Sequence, residues 1–115
     1  MAELNLTPDE LALLKLAHEN RLLVGTAQSA GVTDGEGNTY VAAQVHLPSL
    51  DIPALSLAVA MAVGAGAKEI QSAVIVSNHG MNAVVNLDAL RDVVGKNRRV
   101  VLGDEAGQAI ALRTT

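Results

Sequence analysis

The sequence predicts an α/β fold in the order α-β-β-α-β-α-β-β, about five strands and three helices around one sheet. Three observations carry this: a helix-start signal at Thr7-Pro8-Asp9-Glu10, a turn at Asp34-Gly35-Glu36-Gly37-Asn38 between short apolar runs, and a β-branched run from Ile70 to Val76 between two helical stretches.

Thr7 caps the first helix, Pro8 suits its first turn, and Glu10 completes a capping box three residues after the cap. The helix is expected to run to about Glu19, with Leu11, Leu14, Leu16 and Ala17 on its apolar stripe. Leu22 to Val32 carries short apolar and small residues without helical spacing, and Thr39 to His46 follows the glycine-rich turn, so the two read as a hairpin. Leu47 to Leu50 reads as a loop, after which Ser49 or Asp51 is available to cap a helix from Pro53 through Gly66. Only Ser56 interrupts the apolar circumference of that helix, so burial on all sides is expected. One small sheet covers one side of a helix. The other side is therefore expected to meet another helix or a second subunit, with Ala58, Ala60, Ala62 and Gly64 permitting close approach. Ile70 to Val76 reads as a central strand, and Ser77 to Asn86 as a loop holding His79-Gly80. Asn86 caps a short helix, Leu87 to Val94, which Gly95 stops. Arg99 to Leu102, a turn at Asp104 to Gly107, and Gln108 to Leu112 close as the last strand pair.

Composition narrows the function classes. At 115 residues, half of them hydrophobic and 17% charged, the chain has the size of one domain, residues 1–115. There is no cysteine, which excludes a disulfide framework, a thiol nucleophile and any metal centre built on thiolates. A net charge of -4 argues against tracking a phosphate backbone, so no nucleic-acid partner is expected. The opening MAELNLTPDE is acidic, and the longest apolar run, Ile52 to Ala67, is too short to span a bilayer. No membrane association and a cytoplasmic location are expected. Tyr40 is the sole aromatic residue, so stacking contributes almost nothing to any ligand site.

Several residues invite a functional reading beside a structural one. His46 at a strand end and His79 in a loop are candidate ligand-binding groups, although a solvated or hydrogen-bonded histidine at a strand end and a plain loop residue beside Gly80 are the commoner readings. His18, His46 and His79 lack the i, i+4 pairing of metal-binding helices. Gly64-Ala65-Gly66-Ala67-Lys68 looks like a phosphate loop but lies at a helix end, where phosphate cradling needs a helix start. Asp88 and Asp92 share a helix face that reads as solvated, and Lys96, Arg98 and Arg99 follow a helix end that favours cations without any phosphate.

Val24-Gly25-Thr26-Ala27, then Asp34-Gly35 and Tyr40 in a hairpin, then the apolar helix from Ala54 to Gly66 follow one another in a telling order. Through them the chain resembles, over most of its length, the cytidine deaminase family, which has V-G-A-A, a D-G-x-x-Y hairpin and a similar helix in these places. The strand Ala73 to Ser77 and Leu90-Arg91-Asp92-Val93-Val94, set against C-R-Q-V-L, complete the match. The resemblance implies a three-layer α-β-α fold with a mixed five-stranded sheet. It also implies a zinc site at the starts of two helices, with a glutamate shuttling protons between water and base.

The residues that would do this chemistry are absent. Aligned on the two helices, the first metal ligand falls on Pro53, the glutamate on Leu55 and the two cysteines on Leu87 and Leu90. The family's nucleoside-gripping N-V-E-N-A-S aligns with Gln44-Val45-His46-Leu47-Pro48-Ser49, and its aromatic residue along the base aligns with Leu22. Gln44 keeps an amide's hydrogen-bonding capacity, whereas His46 replaces a ribose-binding carboxylate. Three readings follow: an inactive relative serving as an oligomeric interaction or scaffold module with a protein partner the sequence does not name, a nucleoside- or nucleotide-binding sensor with Gln44, His46 and His79 in its cavity, or a deaminase with a rebuilt histidine site. Under the first, no cofactor and no metal are expected, and small relatives of this family set the expectation of a homotetramer.

Overall fold

In the computed structural model, which describes residues 4–115, the first helix grows from its capping box. The Thr7 N–H donates to Glu10 Oε1 at 2.8 Å, and Thr7 Oγ1 accepts the Glu10 N–H at 3.1 Å. Helix α1 spans Pro8–Val24, five residues beyond the expected end at Glu19, and stops only at Gly25, whose φ of 76° is left-handed. Leu22, Leu23 and Val24, taken from sequence as the start of a strand, form instead its exposed last turn. Their apolarity misled the reading. The stop is set by the glycine that tolerates the left-handed cap.

The strands are β1 (Gln28–Asp34), β2 (Thr39–Ala43), β3 (Val45–Leu47), β4 (Leu50–Ile52), β5 (Ile70–Ser77), β6 (Arg99–Gly103) and β7 (Ala109–Thr114). The helices after α1 are α2 (Ala54–Gly64) and α3 (Asp88–Val94), with a short 3-10 turn at Gly80–Asn82. Five strands form one mixed sheet in the order β2-β1-β5-β6-β7, parallel only between β5 and β6. Residues 45–52, expected as a strand end and a loop, form a separate small hairpin of β3 and β4. Neither Ser49 nor Asp51 caps α2: Pro53 stands at its N-cap without a side-chain bond, and Asp51 is paired in register with His46. At α3 the expected Asn86 cap is not found: the helix starts one residue later with Leu87 at its N-cap and no side-chain capping bond, while Asn86 Oδ1 accepts the Asp88 N–H at 3.0 Å in the turn before it.

The architecture is the three-layer α-β-α sandwich. Helix α1 packs on β1, β2, β5 and β6 from one side, and α2, with α3 against it, packs on the other. Alternation along β5 serves both layers: Val74 and Val76 join Leu13, Leu14 and Ala17 of α1, while Ala73 and Ile75 join Leu55, Ala58 and Val59 of α2. Strand β1 is buried along its whole length. On the α1 side Gly31 and Gly103 make room for leucines. A Cβ at Gly31 would fall 2.7 Å from Leu13 Cδ1, and one at Gly103 2.8 Å from Leu14 Cδ1. The all-round burial expected of α2 is not found: Ala58 and Ala62 face the sheet and are fully buried, but Met61 and Val63 are 42% and 51% exposed. Among the described residues no helix is long and apolar enough to cross a membrane.

Two buried carboxylates fix the structure, one between layers and one within a turn. Glu10 is clamped by Arg99, whose Nε donates to Oε2 at 2.8 Å and whose Nη2 donates to Oε1, linking the head of α1 to the start of β6. Burial acts to raise the Glu10 carboxyl, but the bonds from Arg99 and Thr7 outweigh it and hold the group below its ordinary value. Asp34 closes the first hairpin by accepting the N–H groups of Glu36 and Asn38, the Asn38 side-chain amide and the Tyr40 hydroxyl. Here too burial is outweighed by the hydrogen bonds, and the carboxyl lies below its ordinary value, while burial and the bond to Asp34 raise the Tyr40 hydroxyl.

Two outcomes follow from this packing. Leu13→Ala should cost about 2–5 kcal/mol in denaturant unfolding, and Gly31→Ala about 1–3 kcal/mol, because the added methyl must displace Leu13. Both carboxyls are depressed in the folded state, so their stabilisation is complete above the ordinary values of 4.5 and 3.8 and is lost as pH falls through the lower folded values. Melting temperature should therefore fall on acidification below about pH 4, and Glu10→Gln should flatten that acid limb.

Candidate functional site

The ends of several elements converge beside the head of α2. Gln44 leaves β2 with its N–H bonded to the Gln28 carbonyl at 3.1 Å, the β3–β4 hairpin brings Asp51 and Ile52, and the loop after β5 brings His79 and Asn82. Together with Pro53 they border an open cleft of 420 Å³. Of the residues selected from sequence, Gln44, His79 and Pro53 meet there. His46 does not: it projects into solvent on β3, with Nδ1 3.2 Å from Asp51 Oδ1 and its side chain 82% exposed.

Gln28 is the residue that sequence reasoning missed. It opens β1, is buried, lines the cleft, and donates from Nε2 to the Val84 carbonyl at 3.3 Å. The available signal was a long amide side chain at the start of a strand whose next residues, Ser29, Ala30 and Gly31, are small. Asp51, a cap candidate by sequence, lines the cleft instead and is paired across the hairpin with His46.

The cleft holds amides, one imidazole and one carboxylate, and its other lining groups include Ala27, Ile52, Pro53 and Val84. The side chains of Gln44, His79 and Asn82 take part in none of the side-chain hydrogen bonds among the described residues, so their capacity is free for a bound molecule or water. No arginine or lysine lines it.

Helices α2 and α3 pack against each other, and leucines from the first turns of both belong to one core cluster. The meeting point is hydrocarbon. Leu55 and Leu90, 1% and 2% exposed, belong to one core cluster, and Leu87 packs half-buried against it. A zinc ion needs nitrogen, oxygen or thiolate donors. Pro53, Leu55, Leu87 and Leu90 offer none from their side chains, so these residues do not fit the metal. Among the described residues no three His, Asp or Glu side chains are grouped to hold a metal ion, and His18, His46 and His79 lie on three separate elements.

The packing gives a graded expectation for the two leucines of α3's first turns. Leu90→Ala should cost about 2–5 kcal/mol in denaturant unfolding, and Leu87→Ala, being half-buried, about 1–2 kcal/mol. Equal and negligible losses would mean that the helix starts are open.

A family profile described as cytidine deaminase-like matches residues 6–107. Among solved structures, the crystal structure of a cytidine deaminase from Burkholderia pseudomallei superposes with a TM-score of 0.74 at 20% identity, covering 96% of this chain and 92% of that one. No curated sequence matches significantly.

Proposed function

The chain belongs to the cytidine deaminase-like family, and we propose that within it this protein is a non-catalytic member serving as an oligomeric interaction or scaffold module. The observation that carries the reading is the replacement of donor atoms by hydrocarbon in the first turns of α2 and α3. Hydrolytic deamination at a zinc centre needs an activated water and a group that carries protons to and from the base. Leu55 has no lone pair for a proton, and a chain without cysteine has no thiolate for zinc. The same leucines stabilise the fold instead, each buried one by roughly 1.5–3 kcal/mol.

The exposed face of α2 supports the assembly part of the proposal. Met61 and Val63, flanked by Ala60 and Gly64, present an apolar surface that none of the described elements covers. We place a homotetramer contact there. Ala58 and Ala62 are committed to the chain's own sheet and take no part in it.

A second reading is favoured by one observation, the free hydrogen-bonding side chains of Gln44, His79 and Asn82 in the cleft. It makes the protein a binder of a nucleoside-like small molecule without turning it over. His46 is not part of that binder in the conformation adopted here, since it is engaged with Asp51.

Protein purified without chelator should hold no stoichiometric zinc and should leave cytidine and deoxycytidine unchanged. One tightly bound equivalent of zinc, or turnover abolished by a chelator, overturns the non-catalytic reading. A nucleoside panel in thermal-shift assays tests the second reading, since a ligand that binds only the native state raises the melting temperature by mass action. Light scattering should give a multiple of 11.8 kDa, reduced by Val63→Glu; a monomeric mass unchanged on dilution removes the assembly.

A further inference from the structure

Helix α1 makes its sheet contacts with β1, β2, β5 and β6, and between it and the edge strand β7 runs an open groove of 950 Å³. Its walls are largely hydrocarbon, with Leu11 and Leu14 on the helix side and Ile110 and Met81 opposite. No carboxylate lines it, although Asp and Glu outnumber Lys and Arg in the chain by 12 to 8. Its charged lining residue is Lys15, which enters none of the ion pairs among the described residues.

One end of this groove holds unspent polar capacity. The His18 ring borders the groove and lies so close under the β6–β7 turn that a Cβ at Gly107 would fall 2.6 Å from its Cγ, and its Nδ1 is buried without a partner. Arg21, one helical turn further on, is nine-tenths buried. It donates to the carbonyls of Thr26 at 3.3 Å and Glu105 at 3.0 Å, leaves Nε unpartnered, and pairs with no carboxylate of the described residues. Among the described residues these two nitrogens are the buried side-chain atoms without partners, and both sit under the same turn. A cation held in a poorly hydrated place with no counter-charge favours an anion nearby.

We propose that the groove binds an aliphatic carboxylate of fatty-acid type. Its head group pairs with the Lys15 ammonium and accepts a hydrogen bond from the His18 ring, both of which line the groove. Its hydrocarbon lies along Leu11, Leu14 and Ile110. A carboxylate at the exposed ring nitrogen places the imidazole proton there and leaves the buried Nδ1 as a bare lone pair. That is a cheaper state than a buried N–H without an acceptor.

The test is titration of the full chain with decanoate, followed by amide chemical shifts, with decanol and decyltrimethylammonium as head-group controls. Movement should concentrate in Leu11 to His18 and Gly107 to Ile110. Decanol, and decanoate on Lys15→Gln, should bind about tenfold more weakly. Lys15 is exposed, so the variant should keep the amide spectrum of the parent. Equal binding of decanol or of the cationic amphiphile overturns the proposal, as does the absence of movement up to the solubility limit of decanoate. Shifts confined to the cleft at Gln44 or to the outer face of α2 also overturn it.

Discussion

Strand β1 has no face turned to water, and the remainder of the structure is arranged around keeping it so. Its neighbours β2 and β5 satisfy its backbone on both edges, and helices cover both faces. Covering a strand from two sides demands close approach, because a gap too small for water forfeits the contacts on both of its walls. The chain meets that demand with small residues in the sheet and larger ones in α1: Gly31 and Gly103 lie beneath Leu13 and Leu14. Toward α2 the solution is different. Ala30, Ala42, Ala54, Ala58 and Ala62 make a shallow interface that lets the helix backbone settle near the sheet.

Once the layers are fixed, the ends of the strands decide where chemistry can happen. The chain leaves β2, β4 and β5 at one side of the sheet, and the head of α2 stands in the same place. Two neighbouring environments result. In one, the starts of α2 and α3 bury leucine and exclude water. In the other, amides and an imidazole border a cleft that remains open. The buried leucines add apolar burial to the fold, while the cleft beside them keeps its polar side chains open to solvent.

The long-range polar contacts do a separate job. Glu10 joins a helix cap to Arg99, and their carboxylate and guanidinium meet across 89 positions of sequence, whereas Asp34 acts locally and closes a turn. The first fixes how α1 lies on the sheet; the second fixes the register of β1 against β2. Losing either charge in acid loosens a different level of the structure.

Much of this was legible in the residues. Thr7, Pro8 and Glu10 announced α1, the β-branched run announced β5, Gly95 marked the end of α3, and the order of elements with the V-G-T-A and Asp34-Gly35 matches identified the family fold. These signals are local, set by backbone propensity and by bonds a few residues long. The end of α1, the β3–β4 hairpin, the outward turn of His46 and the entry of Gln28 into the cleft were not legible. An apolar Leu22-Leu23-Val24 reads alike as strand or helix, and whether a polar side chain meets a cleft or solvent depends on residues distant in sequence. The sequence by itself determined the absence of thiolates at the two helix starts, because composition cannot be altered by folding. Only the tertiary structure decided that the leucines there are core while the neighbouring cleft stays open, because burial is a property of what packs around a residue.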